Sequence, residues 1–167
     1  ETGLDYFRLK GDLSWQRDRF RTHIRAAIKS KLPLIIHTRN AQDDTISIMK
    51  EEGANSATGV MHCFTESYEM AKQAIDLGFY ISFSGIITFK NAETLRETVK
   101  KIPIENILIE TDSPYLAPVP NRGKLNEPAN VRYVAEKIAE LKGIPIEKVA
   151  ETTTNNFFTL FTKCKTL

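Results

Sequence analysis

Ile107-Leu108-Ile109-Glu110-Thr111-Asp112-Ser113-Pro114 is a short aliphatic run that ends in acid. Bulky residues without alternation suit a strand buried on both faces, as in a parallel sheet. Two earlier runs share the design. Pro33-Leu34-Ile35-Ile36 leads into His37-Thr38-Arg39, and Gly59-Val60-Met61 leads into His62-Cys63-Phe64. Each pattern ends in a side chain able to bind a divalent metal. The three ligands are spaced 25 and 50 positions apart, about one and two βα units. In a parallel barrel the C-terminal strand ends converge on one face, where active sites lie.

Working outward, strand patterns alternate with helix patterns. Ser14 to about Lys31 carries Phe20, Ile24, Ala27 and Ile28 at helical spacing, with Ser14 as the expected cap. His23 lies inside that helix and is read as a surface or packing histidine. A helix of about Ala41 to Glu52 should stop at Gly53. Ser67 should cap a helix bearing Met70, Ala71, Ala74 and Ile75, ending at Gly78. Phe79 to Phe83 reads as a strand, Ser84-Gly85 as its terminal loop, and Ala92 to Lys101 as a short helix. A long loop, Ser113 to Asn126, precedes two more helices, one opened by Pro128 with Val131, Val134, Ala135, Ile138 and Leu141, the other running from Pro145 to about Phe161. Strand alternating with helix at this pitch predicts an α/β fold with a parallel sheet, forming a single domain over 1–167.

Four full strands are expected, at 34–37, 59–62, 79–83 and 107–110, plus the end of a strand whose body would precede Glu1. A (β/α) barrel needs eight strands and typically about 250 residues. The expectation is therefore about the second half of a TIM barrel.

Composition narrows the classes. The chain has 167 residues, 41% hydrophobic and 26% charged, enough for a domain-sized core. With 23 basic and 21 acidic side chains, a nucleic-acid site would have to be a local patch. Cys63 and Cys164 make a poor disulfide framework and suit a reducing compartment. No apolar run approaches transmembrane length and no signal segment opens the chain, so a cytoplasmic protein without membrane association is expected.

Histidine and carboxylate ligands without paired cysteines suit Zn, Mn, Mg or Fe. Glu1 would be a fourth ligand, and a carboxylate can bridge two metals. Asp112 could both hold metal and take a proton from bound water. Arg39 lies two residues past His37, and Arg122, Lys124 and Asn126 lie in the long loop. Arginine grips phosphate through two hydrogen bonds and asparagine can donate to it. Phe64 could stack on a base or pack the mouth. Cys63 reads as a small buried neighbour.

These residues resemble the TatD family of metal-dependent deoxyribonucleases in the amidohydrolase superfamily. Residues Pro33 to Asp43 (PLIIHTRNAQD) match one family signature and Glu110-Thr111-Asp112-Ser113-Pro114 another. Glu1-Thr2-Gly3-Leu4-Asp5, His62-Cys63-Phe64, residues Ser84 to Phe89 and residues Arg122 to Pro128 also sit where the family has its own versions. The resemblance implies a TIM barrel that hydrolyses phosphodiester bonds in DNA, largely exonucleolytically, from single strands or 3′ ends. It implies two divalent metal ions (Mg, Mn or Zn) per full-length enzyme. Glu1 would match the bridging glutamate, His37 and His62 the single histidine ligands, and Asp112 the aspartate that binds metal and activates water. Arg39, Phe64, Arg122, Lys124 and Asn126 would line the substrate mouth.

The family's opening His-x-His pair is absent, since the only histidines are His23, His37 and His62. The chain is thus expected to hold at most one metal, and its sheet edges to be covered by the N-terminal half of a barrel or another chain. Two other functions fit the same residues: hydrolysis of a small ester, amide or phosphoester, and a non-catalytic half-barrel acting through assembly.

Overall fold

A computed structural model describes residues 1–166. The chain clusters into two compact units, Glu1–Ile81 and Ser82 onward, where the sequence suggests one domain. Elements adjacent in sequence pack on one another, so each stretch of βα units gathers its own neighbours.

The first unit opens with β1 (Thr2–Asp5), followed by α1 (Ser14–Ser30), β2 (Leu34–Arg39), α2 (Gln42–Glu51), β3 (Gly59–Met61) and α3 (Tyr68–Asp76). β4 (Phe79–Phe83) begins here. The strands pair in parallel and in sequence order: Gly3 is level with His37, Ile36 with Met61, and Met61 with Ile81. In β2, Leu34, Ile36 and Thr38 are buried while Ile35, His37 and Arg39 are more exposed, the period-two alternation of a strand. Leu4, Phe20, Ile24, Ile36, Met49 and Met61 are fully buried and form the core. Burying each such side chain contributes roughly 1.5–3 kcal/mol before conformational entropy is counted.

Residues after Glu1 therefore form a strand of their own, whereas the sequence suggests only the end of one. Gly3 hides it, because glycine is a poor strand residue. The α1 cap also differs. Ser14 lies inside the helix, and the Asp12 carboxylate accepts from both its backbone N–H and its hydroxyl, at 2.8 Å each. These bonds hold the Asp12 carboxyl below the usual range. Ser67 does cap α3, accepting from the Met70 N–H at 3.2 Å.

The second unit contains the end of β4, a 3-10 turn (Gly85–Thr88), α4 (Glu93–Lys101), β5 (Ile107–Ile109), α5 (Val131–Lys142) and α6 (Ile146–Leu160). The Glu110 N–H donates to the Phe83 carbonyl at 3.0 Å, which ties the end of β5 to β4. Ile107, Val134, Ile138 and Val149 are fully buried. Asn156 of α6 donates to the carbonyls of Ile104 and Ile107, at 2.9 and 2.8 Å, and so fixes the start of β5. Among the described residues no helix is long and apolar enough to cross a membrane. Among the described residues, Cys63 and Cys164 form no disulfide.

Candidate metal centre and substrate mouth

In β1, alternation puts Glu1, Gly3 and Asp5 on one face, and register sets Gly3 beside His37. The two carboxylates then flank the imidazole. Glu1 Oε1 lies 3.4 Å from His37 Nδ1, and Asp5 Oδ2 lies 3.2 Å from His37 Nε2. Gly3 permits this. A β-carbon there would sit 1.9 Å from the His37 carbonyl oxygen, and its φ of +132° is a conformation other residues rarely adopt.

Asp5 is itself clamped. Gln16, buried in α1, accepts from the Asp5 backbone N–H at 2.9 Å and donates to its carbonyl at 2.8 Å. The other Asp5 carboxylate oxygen accepts from the Phe7 N–H at 2.9 Å. One aspartate thus orients both the histidine and the loop beyond the strand. A carboxylate on the second ring nitrogen is the usual support of a metal-binding histidine, because it fixes the tautomer. With Nε2–H toward Asp5, the Nδ1 lone pair faces Glu1. Two ligand atoms about 2.0–2.1 Å from one ion at a near-tetrahedral angle lie about 3.3–3.4 Å apart. The Glu1–His37 separation fits that pair of donors.

Among the described residues no three His, Cys, Asp or Glu side chains form a metal-holding cluster. The carboxylates of Glu1 and Asp5 turn to the two nitrogens of His37 instead. His62 follows Met61 and donates its N–H to the Ile36 carbonyl at 2.8 Å, which sets it beside β2 at the height of His37. Glu66 approaches His37 from the loop after β3. Burial raises its carboxyl pKa, against the opposing effects of the Asn40 N–H and the nearby His37 ring. Glu66, Tyr6, Asn40 and Asp44 border an open cleft of about 440 Å³. Tyr6 donates to Asp44 at 2.6 Å, and burial followed by that bond raises its phenol pKa. Such an acidic border disfavours phosphate. His23, on α1, bonds to Thr2 at 2.6 Å and plays no part in this group.

Arg39 is exposed, and its guanidinium carbon stands 3.5 Å from the centre of the Phe7 ring. Phe64 is only 1% exposed. The structure assigns it to packing, and a buried ring offers no face for a base. Its apolar side chain gains more from the core than from the mouth.

Asp112 stands in the second unit, three residues beyond β5, with φ +57°. Its carbonyl accepts from the Tyr115 N–H at 3.0 Å. The chain also turns left-handed at Asn40 (φ +54°), just after Arg39, and at Cys63 (φ +43°), just after His62. Sparsely populated backbone of this kind clusters at functional sites.

The long loop after Asp112 is ordered by Asn126. This side chain is 6% exposed, donates to the carbonyls of Thr111 (2.8 Å) and Tyr115 (2.6 Å), and accepts from Glu127 N–H and Asn130. Both of its donors are committed, so it braces the loop and has none left for phosphate. Arg122 and Lys124 remain exposed. The Arg122 guanidinium carbon lies 3.8 Å from the centre of Phe89, a ring that sequence reasoning left without a role. Asp5, Gln16 and Gly3 were likewise missed as site residues. For Gly3 and Asp5 the signal was the alternation Glu-x-Gly-x-Asp in a strand; Gln16 lies on α1, outside that pattern.

Fold and strand ends place the chain among α/β proteins whose parallel strands finish in histidine and carboxylate. It belongs to the TatD family: the family profile described as TatD related DNase matches residues 1–162. The chain is 52% identical over 161 residues to the uncharacterized metal-dependent hydrolase YcfH of Escherichia coli (strain K12), covering 96% of this chain and 61% of YcfH. It is 50% identical over 161 residues to the uncharacterized metal-dependent hydrolase YabD of Bacillus subtilis (strain 168), covering 96% and 63%. The crystal structure of YjjV, a TatD homolog from Escherichia coli K12, matches with a TM-score of 0.88 at 30% identity, over 97% of this chain and 62% of that one. A TatD family hydrolase from Entamoeba histolytica matches with a TM-score of 0.83 at 28% identity, over 96% and 62%. The chain thus spans about three fifths of the length of the curated relatives it matches.

Proposed function

We propose that the protein is a divalent-metal-dependent hydrolase of phosphodiester bonds in DNA, acting from strand ends, with these five strands as part of an eight-stranded barrel. The observation that carries the metal is the His37 ring held between Glu1 and Asp5. DNA as substrate draws support from the family description and from arginines exposed at the end of β2 and in the long loop. Glu1, His37, His62 and Asp112 would hold divalent metal (Mg, Mn or Zn), two ions in the full-length enzyme. A divalent ion supplies Lewis acidity toward a phosphoryl oxygen and toward water.

The chain's own residues do the rest. Asp5 keeps His37 in one tautomer and one orientation. Asp112 takes the proton of the attacking water through its carboxylate. Arg39, Arg122 and Lys124 bind backbone phosphates and hold the strand in place; such positioning is a large part of phosphoryl-transfer catalysis. The test is release of nucleotides from single-stranded DNA by the full-length protein with Mg, Mn or Zn, and its loss in Asp112→Ala. No release with any of the three ions refutes the proposal. Turnover of small esters or phosphoesters with DNA untouched would assign the site to a small substrate instead.

A further inference from the structure

The chain has nine arginines. Arg17, Arg21, Arg25 and Arg132 lie against carboxylates, and Arg96 donates to main-chain carbonyls. Arg8 and Arg39 have no carboxylate partner among the described residues, yet they share one ring. Their guanidinium carbons stand 4.8 and 3.5 Å from the centre of Phe7. Two like charges gathered on one ring repel each other, and the ring quadrupole offsets little of that at an exposed site. An anion bound by both would relieve the repulsion.

The local backbone supports a selected rather than incidental arrangement. Leu9 N–H donates to the Tyr6 carbonyl at 3.3 Å, closing a turn in which Arg8 has φ +58°. Glycine or asparagine fits that turn position best, and arginine there is strained. The turn is also tied to the candidate metal centre. Asp5 accepts from the Phe7 N–H with one oxygen and meets His37 with the other, and Tyr6 N–H donates to the Arg39 carbonyl at 2.9 Å.

We propose that Phe7 is a platform presenting Arg8 and Arg39 as a paired phosphate clamp for a single-stranded nucleic acid backbone beside His37. The inference rests on the DNA-hydrolase reading and adds to it Arg8 and Phe7, two residues outside the predicted mouth. Planar guanidinium forks match phosphate oxygens, and Phe7 restricts their motion before the phosphate arrives.

The experiment measures binding without turnover, using a fluorescein-labelled oligo-dT and the 167-residue chain in EDTA, by anisotropy over a range of KCl concentrations. Each phosphate contact to a single strand contributes about 0.7 to the slope of log K against log salt. Arg39→Gln and Arg8→Asn should each lower that slope by about 0.7 and weaken binding roughly three- to ten-fold at low salt. Phe7→Leu keeps both charges and should weaken binding several-fold. Arg8→Asn should hold or raise the urea unfolding midpoint, because asparagine tolerates a positive φ. Arg19→Gln is the control, since Arg19 stacks on Trp15 in α1 and should leave the slope unchanged. An unchanged slope in Arg8→Asn, an equal fall in Arg19→Gln, a lower unfolding midpoint in Arg8→Asn or wild-type binding by Phe7→Leu overturns the clamp. Intact clamp binding with no nucleotide release by the full-length protein would refute the hydrolase reading alone.

Discussion

Gly3→Ala tests the register on which the candidate metal centre depends. The new β-carbon would meet the His37 carbonyl oxygen at 1.9 Å and its carbonyl carbon at 2.9 Å, where ordinary contact begins near 3.4 Å. Backbone cannot give way as a flexible side chain does, so β1 must move by about 1.5 Å, the shortfall from 3.4 Å. A shift that large breaks ladder hydrogen bonds, which form only near 2.9 Å. Losing one or two of them costs about 1 kcal/mol each. The φ of +132° adds about 1–3 kcal/mol of backbone strain for a residue with a side chain. The sum is about 2–5 kcal/mol, a large fraction of the roughly 5–15 kcal/mol typical of a folded domain. Gly11→Ala separates the two effects, because Gly11 has φ +87° but nothing within 4 Å of an added β-carbon. Urea unfolding should place Gly3→Ala about 1–2 kcal/mol below Gly11→Ala, with the m-value unchanged. Equal midpoints would show that β1 does not need this close approach. Zinc titration of the same variant should show weakened binding, since Glu1 and Asp5 move with the strand.

Asp5→Asn should lower affinity for Zn or Mn about 10–100-fold in calorimetric titration, the usual effect of losing the carboxylate behind a ligating histidine; unchanged affinity would remove Asp5 from that role. Asn126→Ala should destabilise by roughly 2–4 kcal/mol, because Thr111 and Tyr115 lose their donor in a buried setting. Chemical denaturation reads this directly, and an effect below about 0.5 kcal/mol, the range of surface substitutions, would return Asn126 to the surface. Glu66 has a raised folded pKa, so the native state binds its proton more tightly than the unfolded chain does. Its contribution is most favourable below the unfolded value of about 4.3 and is lost as pH rises through the folded value. Glu66→Gln should therefore gain stability relative to wild type as pH rises above about 4 and then level off. A difference that stays constant from acid to neutral pH would contradict burial as the cause.

The sequence by itself determined the order of elements. Apolar runs punctuated by glycine and proline gave the strands at Leu34, Gly59, Phe79 and Ile107 and the helices between them, because periodicity and turn chemistry are local properties. It also determined that His37 lies near the C-terminal end of a strand, and that His62 and Asp112 lie just past theirs. Tertiary structure decided which side chains serve those ends. Asp5 behind His37 depends on β1 lying level with β2, and register is a pairing between segments 32 residues apart that no local pattern contains. Phe64 and Asn126 could each face solvent or core from sequence, and packing drew both inward. Arg8 and Arg39 meet on Phe7 only because a turn and a neighbouring strand end arrive at the same ring. Spacing along the chain fixes what a residue can be. Its distance to residues on other strands, set by register and burial, fixes what it does.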